Sequence, residues 1–317
     1  PIDKLVAPPY DVIQPQEREV IAARSEYNVI HLTLPDEKPD DRSKFVKYAR
    51  SASLLASWRK DDILAPENQP AFYRYKQTFS IHYLSPKPFT RWSVIALIKT
   101  EPYDKGVVLP HEQTFPKHKE DRLRILEATR AHLECIFGLY EDPGGVIHNS
   151  LQQPPAEGHA SVESDDLSHE PHSTLIAQHG PAVEVPSDDH VEHHLEPITD
   201  PGICQKLVQL MADKKIWIAD GHHRYETACN YRDEVAAAYA AAHGGAALPS
   251  DHPANFVLMM LVGMSDPGLV VLPTHRLFLE PAVATAAELA AGLSATPLVT
   301  LVAAKIGHTR LIDNLEV

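Results

Sequence analysis

Cysteine is scarce in this chain: Cys135, Cys204 and Cys229 are the only three in 317 residues. An odd count with no C-x-x-C pair fits free thiols in a reducing compartment rather than a disulfide framework. All three sit in apolar or helical surroundings, where packing is their expected role. Long hydrophobic runs are missing too. None reaches the roughly 18 residues of a membrane span, and the first residues show no charged-then-apolar signal pattern. A cytoplasmic location is therefore expected. Basic charge is in deficit, with 29 Lys and Arg against 43 Asp and Glu and a net charge of -14. Phosphate backbones call for a basic face, so this balance argues against a general nucleic-acid binder. It leaves room for a small anion held by a few local cations. Also absent are G-x-x-x-x-G-K-[ST], G-x-G-x-x-G and the G-x-S-x-G elbow. A bound nucleotide must be held by some other device.

What is present is ordinary globular composition, 44% hydrophobic and 23% charged, in a chain long enough for one large domain or two smaller ones. Because it begins at Pro1 and runs to Val317 with no clear stop signal, truncation at both ends is expected. Pro15 suits the first turn of a helix running to Ala23. Val29–Leu34 reads as a short strand. Phe45–Arg59 reads as a helix with Ala52, Leu55 and Trp58 inward. Residues 71–82 and 91–101 read as a hairpin around Ser85-Pro-Lys-Pro88. Asp121–Leu133 has helical spacing, and Cys135–Tyr140 follows as a strand. Residues 141–195 are rich in Pro, Gly, Ser, Asp and His and read as a polar loop, with strands at Val146-Ile147 and Thr174–Ile176. Further helices are expected at 203–212, 225–242 and 282–293, and strands at 215–219, 256–262 and 269–272. The mixture predicts an α+β or mixed α/β fold.

Two segments carry the chemistry. In Trp217-Ile-Ala-Asp220-Gly221-His222-His223-Arg224-Tyr225, an apolar strand meets a glycine and then a helix. The free N–H groups and positive dipole end of such a helix attract phosphate. Gly221 permits close backbone approach, Arg224 offers a fork of donors, His223 can donate to a phosphate, and Asp220 can bind a metal or a polar group. The plainer alternative is Asp220 as a helix cap with solvated histidines. In Leu109-Pro-His111-Glu112-Gln-Thr114-Phe-Pro-Lys117, followed by Asp121-Arg122, Glu112 is a candidate general base. His111 would orient it or touch phosphate, and Lys117 and Arg122 would balance phosphate charge. Alone, this second segment reads as a solvated loop.

Two further segments are candidates. Pro8-Pro9-Tyr10-Asp11 could line a pocket, or Asp11 could instead cap the Pro15 helix, and at the strand end Leu272-Pro273-Thr274-His275-Arg276, His275 and Arg276 could supply another anion contact or form a salt-bridged turn. The histidines between 141 and 195 lack the convergent spacing of a zinc site, so no metal ligand set is predicted.

These residues resemble a family. Ala7-Pro-Pro-Tyr-Asp-Val-Ile13, His111-Glu-Gln-Thr114, Ala219–Ala228 and Leu272-Pro-Thr-His-Arg276 look like the DUF1015 family of bacterial and archaeal proteins over nearly the whole chain. Its members are generally longer. A wider resemblance is to the free serine kinases of the ParB/sulfiredoxin superfamily, which carry a His-Glu-x-Thr-like segment and later a strand leading into Asp-Gly-x-His-Arg. Sulfiredoxin has a similar turn holding ATP phosphates.

The resemblance implies a mixed-sheet ParB/sulfiredoxin-like core over 101–295 with an insertion near 141–195. Residues 1–100 would form an N-terminal α/β extension, and 296–317 the start of a truncated C-terminal part. It implies Glu112 as catalytic base with His111 and Asp220 beside it. Gly221, His222, His223, Arg224, Lys117 and Arg122 would hold ATP or ADP with Mg²⁺, and Tyr10, Asp11, His275 and Arg276 would face the substrate. The implied reaction converts free L-serine to O-phosphoserine, and family members tend to occur beside serine-biosynthesis genes. The two rival readings are a nucleotide- or amino-acid-binding regulator and a metal-dependent hydrolase using the histidine pairs. No membrane or nucleic-acid partner is expected, and the oligomeric state is left open.

Overall fold

A computed structural model of the chain describes residues 2–81, 84–111, 116–152, 183–185, 191–271, 299–306 and 309–316. Side chains are not described at 116–119, 183–185 or beyond 271. The fold is α+β. In chain order the elements are α1 (Pro15–Ala22), α2 (Ile30–Thr33), α3 (Val46–Lys60), β1 (Phe72–Phe79), β2 (Phe89–Lys99), β3 (Val108–Leu109), α4 (Pro116–Thr129), β4 (Ile136–Tyr140) and α5 (Val146–Gln152). There follow β5 (Val183–Val185), β6 (Glu192–Ile198), α6 (Pro201–Met211), β7 (Ile216–Asp220), α7 (His222–Ala242), β8 (Phe256–Gly263), β9 (Val299–Ile306) and β10 (Thr309–Glu316).

Two compact units are present. In the larger, a mixed eight-stranded sheet runs in the order β3-β7-β4-β8-β2-β1-β6-β5. The β3–β7 and β4–β8 pairs are parallel and the rest antiparallel. The smaller unit is built on residues 270–317, and its β9 and β10 form an antiparallel pair.

The main core lies over the middle of the sheet. Alternation along β7 and β4 buries Ile216, Ile218, Ile136 and Tyr140. These pack with Met259 and Leu261 of β8 and with Tyr225 and Ala228 of α7. Gly138 sits where this packing is tightest. A Cβ there would come within 2.8 Å of Leu261 and 2.9 Å of Ile216. A second cluster joins Leu32, Leu55 and Trp58. The buried stripe of α3 is Tyr48, Ser51, Leu55 and Trp58. Ser51 takes the place expected of Ala52 because its hydroxyl donates to Leu32 O at 2.8 Å.

Four sequence expectations change. Val29–Leu34 is not a strand but leads into the helical turn α2. Asn28 Oδ1 accepts from Ile30 N–H at 2.9 Å, while its amide donates to Lys4 O and Val6 O. That side chain supplies the bonds a strand neighbour would have made. Val146-Ile147 begins α5, because the buried carboxylate of Asp142 accepts the N–H groups of Val146, Ile147 and His148, each at 3.0 Å. The polar stretch 141–195 also contains β6 at its end, which pairs with β1 from Phe72↔Ile198 to Thr78↔Glu192. At 269–271 the chain is not a strand. The helix expected at 282–293 and the strand at 174–176 lie outside the described residues. Among the described residues no helix is long and apolar enough to cross a membrane.

The Asp142 cap gives a direct test. Asp142→Ala leaves three helix donors without their acceptor, and urea unfolding should show a loss of about 2 kcal/mol.

Candidate functional site

The site starts from one parallel pairing. β3 lies along β7 with Val108 opposite Ile216 and Leu109 opposite Trp217, and Ile216 N–H donates to Val107 O at 2.9 Å. This ladder brings a stretch near residue 110 beside one near 217. His111 follows β3 after Pro110. Its Nδ1 lies 2.6 Å from Ile218 O. A carbonyl oxygen only accepts, so Nδ1 carries a proton. The His111 N–H in turn donates to His222 Nε2 at 3.2 Å. The two rings meet edge to face, with centroids 4.5 Å apart and planes at 80°. His222 is fully buried while His111 is exposed. His222 therefore supports the His111 segment and does not itself present a surface to a ligand.

Gly221 makes the turn from β7 into α7. Its φ is +94°, a left-handed conformation that favours glycine. A Cβ there would lie 3.0 to 3.2 Å from the Arg224 guanidinium, which folds back over the turn. The first intrahelical bond is Tyr225 N–H to Gly221 O at 2.9 Å, so the positive end of the α7 dipole lies at this turn.

Arg224 is the hub of a second group. Its guanidinium pairs with the Asp220 carboxylate and donates to Cys135 O. Its side chain is 12% exposed, against 55% for Asp220. Burial pulls the Arg224 pKa down, but Asp220, Glu134, Asp11 and Tyr10 outweigh it and hold the pKa above the ordinary value. Tyr10 N–H donates to Glu134 Oε1 at 3.2 Å, and the Arg122 guanidinium lies 3.8 Å from the centre of the Tyr10 ring. Burial pushes the Tyr10 hydroxyl up to about 12. Burial likewise raises Glu134, against the pull of Arg224 and Arg122. Arg122 donates to Thr33 O at 2.8 Å and to Asp121 Oδ2 at 2.5 Å.

The structure thus gathers His111, Gly221 and His222 at one end of β7, and Tyr10, Asp11, Arg122, Asp220 and Arg224 into one electrostatic cluster. His223 sits half-buried in the first turn of α7. Asp11 does not cap α1. That position belongs to Gln14, whose N–H donates to Glu17 at 2.9 Å. Glu112, the Lys117 side chain, His275 and Arg276 lie outside the described residues. Sequence reasoning missed Glu134, His132 and Thr227. The signal for Glu134 was a lone charge opening the apolar run Cys135–Leu139, which in a core requires a partner. Among the described residues no group of three or more His, Cys, Asp or Glu side chains could hold a metal ion.

Residues 1–309 match the family described as "Protein of unknown function (DUF1015)". No curated protein and no solved structure matches the chain.

Two predictions test this geometry. Gly221→Ala forces a left-handed alanine against Arg224, and chemical denaturation should register a loss of about 1–2 kcal/mol. For Asp121, burial pushes the carboxyl up, but Arg122, Tyr48 and Lys47 outweigh it and hold it below the usual range. The unfolded chain therefore binds the Asp121 proton more readily than the native protein. The stability this contributes is complete above the ordinary Asp pKa of about 4 and is lost as pH falls through the lower native value. Asp121→Asn should flatten the acid limb of the stability–pH curve, and an unchanged slope would contradict the assignment.

Proposed function

The chain belongs to the DUF1015 family, and from that footing we propose that it is a nucleotide-dependent phosphotransferase acting on free L-serine, with a ParB/sulfiredoxin-like core. The observation that carries this reading is the pair of hydrogen bonds from His111 to Ile218 O and to His222. They tie His111 to the Asp220–Arg224 turn. Glu112 is the next residue in the sequence. As general base it would accept the proton of the acceptor hydroxyl.

The residues of the turn suit a nucleotide phosphate. The positive end of the α7 dipole, the glycine at the turn and the fixed charge of Arg224 suit an oxyanion. Two arms of Arg224 are already engaged by Asp220 and Cys135 O. It would therefore act chiefly as a held charge behind the turn. Asp220, half exposed at the strand end, would contribute one oxygen to Mg²⁺, an ion that commonly takes one or two carboxylates together with phosphate oxygens. ATP or ADP supplies the phosphoryl group and Mg²⁺ spreads its charge. The protein's own part is to position the acceptor, take its proton and stabilise the transferring oxygens.

The test is incubation with ATP or ADP, Mg²⁺ and a panel of amino acids, with products read by mass spectrometry. O-phosphoserine is the expected product. Glu112→Gln should lower its rate by about 10² or more with the melting temperature unchanged. A folded Glu112→Gln protein at full rate removes the base assignment. Nucleotide-induced thermal stabilisation with no product from any amino acid replaces the kinase reading with a regulatory one.

A further inference from the structure

Among the described residues, every arginine that is not fully exposed has a carboxylate partner, with one exception. The exception is Arg91. Arg42, Arg59 and Arg130 also lack a partner, but they stand exposed to water. Acidic residues are not scarce, with 43 Asp and Glu against 29 Lys and Arg. Arg91 lies on β2 directly opposite Gln77 of β1. Its Nε and Nη2 donate to Gln77 Oε1 at 3.1 and 2.6 Å. The rings of Phe79 and Phe137 lie beside its guanidinium, with centroids 5.7 and 5.1 Å away. Burial pulls the Arg91 pKa down, and Tyr75 and Asp266 oppose that pull only in part. Asp266 is not free to come closer. Its side chain is 0% exposed, and its oxygens are engaged by Trp92 N–H, His148 Nδ1 and Gly268 N–H. A partly buried cation held by a neutral amide has a standing need for an anion.

The geometry of the guanidinium constrains that anion. Arginine has five N–H donors. Gln77 Oε1 occupies the edge formed by Nε and Nη2. The end edge, formed by Nη1 and the second N–H of Nη2, is left for another acceptor. Nη1 has no partner among the described residues and is not a buried atom, so a molecule in solution can reach it. Two parallel N–H groups on one edge match the two oxygens of a carboxylate. The surroundings of that edge are aromatic. Phe79 stacks on Phe89 with centroids 5.8 Å apart, and Phe79, Phe89, Phe137 and Tyr75 are all partly exposed. Charge at the site is single. The next cation on β1, Lys76, points to the other face of the sheet and lies over Trp92. One fork and one charge beside phenyl rings suit a monoanion with an apolar body better than a multiply charged phosphate, whose further oxygens would face those rings.

We propose that Arg91 anchors a binding site for a small organic monocarboxylate with an apolar body, the carboxylate forked on the Nη1–Nη2 edge and the body against Phe79 and Phe137. Gln77 is the positioning residue, because its oxygen fixes which edge of the guanidinium is presented. The site uses neither Arg224 nor Glu112 and needs no nucleotide, so it stands apart from the phosphotransferase reading.

The experiment is calorimetric titration of the whole chain, without nucleotide, using benzoate, benzamide, acetate and inorganic phosphate in turn. Benzoate should bind saturably. Benzamide keeps the ring without the charge and acetate keeps the charge without the ring, and each should bind roughly ten-fold more weakly or worse. Arg91→Lys keeps the charge and loses the fork, and should weaken benzoate by roughly ten-fold. Gln77→Glu seats a carboxylate against the guanidinium. It should raise the melting temperature and abolish benzoate binding, whereas a purely structural Arg91 would give the first change with no binding to lose. Benzamide or phosphate binding as tightly as benzoate, benzoate affinity unaltered in Arg91→Lys or Gln77→Glu, or no saturable binding at all would each overturn the proposal. The benzoate and benzamide comparison needs no variant, so it decides even where a substituted chain fails to fold. Absence of O-phosphoserine in the kinase test leaves this site standing, and absence of benzoate binding leaves the kinase reading standing.

Discussion

A guanidinium with 12% of its side chain exposed cannot be left uncompensated inside a protein, and the surroundings of Arg224 answer that requirement from several parts of the chain. Asp220 precedes it by four residues on the same turn. Glu134 and the Cys135 carbonyl come from the entrance to β4. Tyr10 and Asp11 come from the N-terminal Pro-Pro segment, and Arg122 stacks on Tyr10 from α4. Removing any carboxylate from this set leaves a cation with too few partners, and removing Arg224 leaves several anions crowded together. The cluster therefore fixes the mutual placement of β7, the β4 entrance and the N-terminus. The edge-to-face histidine pair fixes the β3 exit against the same turn.

Much of this was legible in the sequence, and what escaped did so for identifiable reasons. The β7–Gly221–α7 unit announces itself through an apolar strand, a glycine and a dense polar run. The structure supplies the left-handed φ that the glycine is there to allow. The contact of His111 with His222 could not be read from spacing. It depends on a parallel ladder between strands more than a hundred residues apart, and periodicity carries no information about pairing partners. His222 and His223 look equivalent in the sequence, yet only the helix phase decides that one of them is fully buried. Val29–Leu34 and Val146-Ile147 are short apolar runs for which strand and helix cannot be told apart. A side-chain cap from Asn28 or Asp142 decided each case. β6 was hidden because Glu192-His-His-Leu-Glu-Pro-Ile198 is polar. Its place next to β1 lets Glu196 pair with Arg74 and His193 stack on Tyr75.

The strand order has a consequence for how the chain is made. β8 lies between β4 and β2, and it joins the β3-β7-β4 half of the sheet to the β2-β1-β6-β5 half. As the polypeptide leaves the ribosome, the β1–β2 hairpin appears early with one edge awaiting β6 and the other awaiting β8. The β8 edge can close only after the chain beyond β2 has emerged as far as Gly263. Pairings of such long sequence separation form slowly, and an uncovered strand edge is a template for association with other chains. The nascent protein thus passes through a long interval in which its most apolar strand partner does not yet exist, and its yield in a cell will depend on what shelters β2 until then.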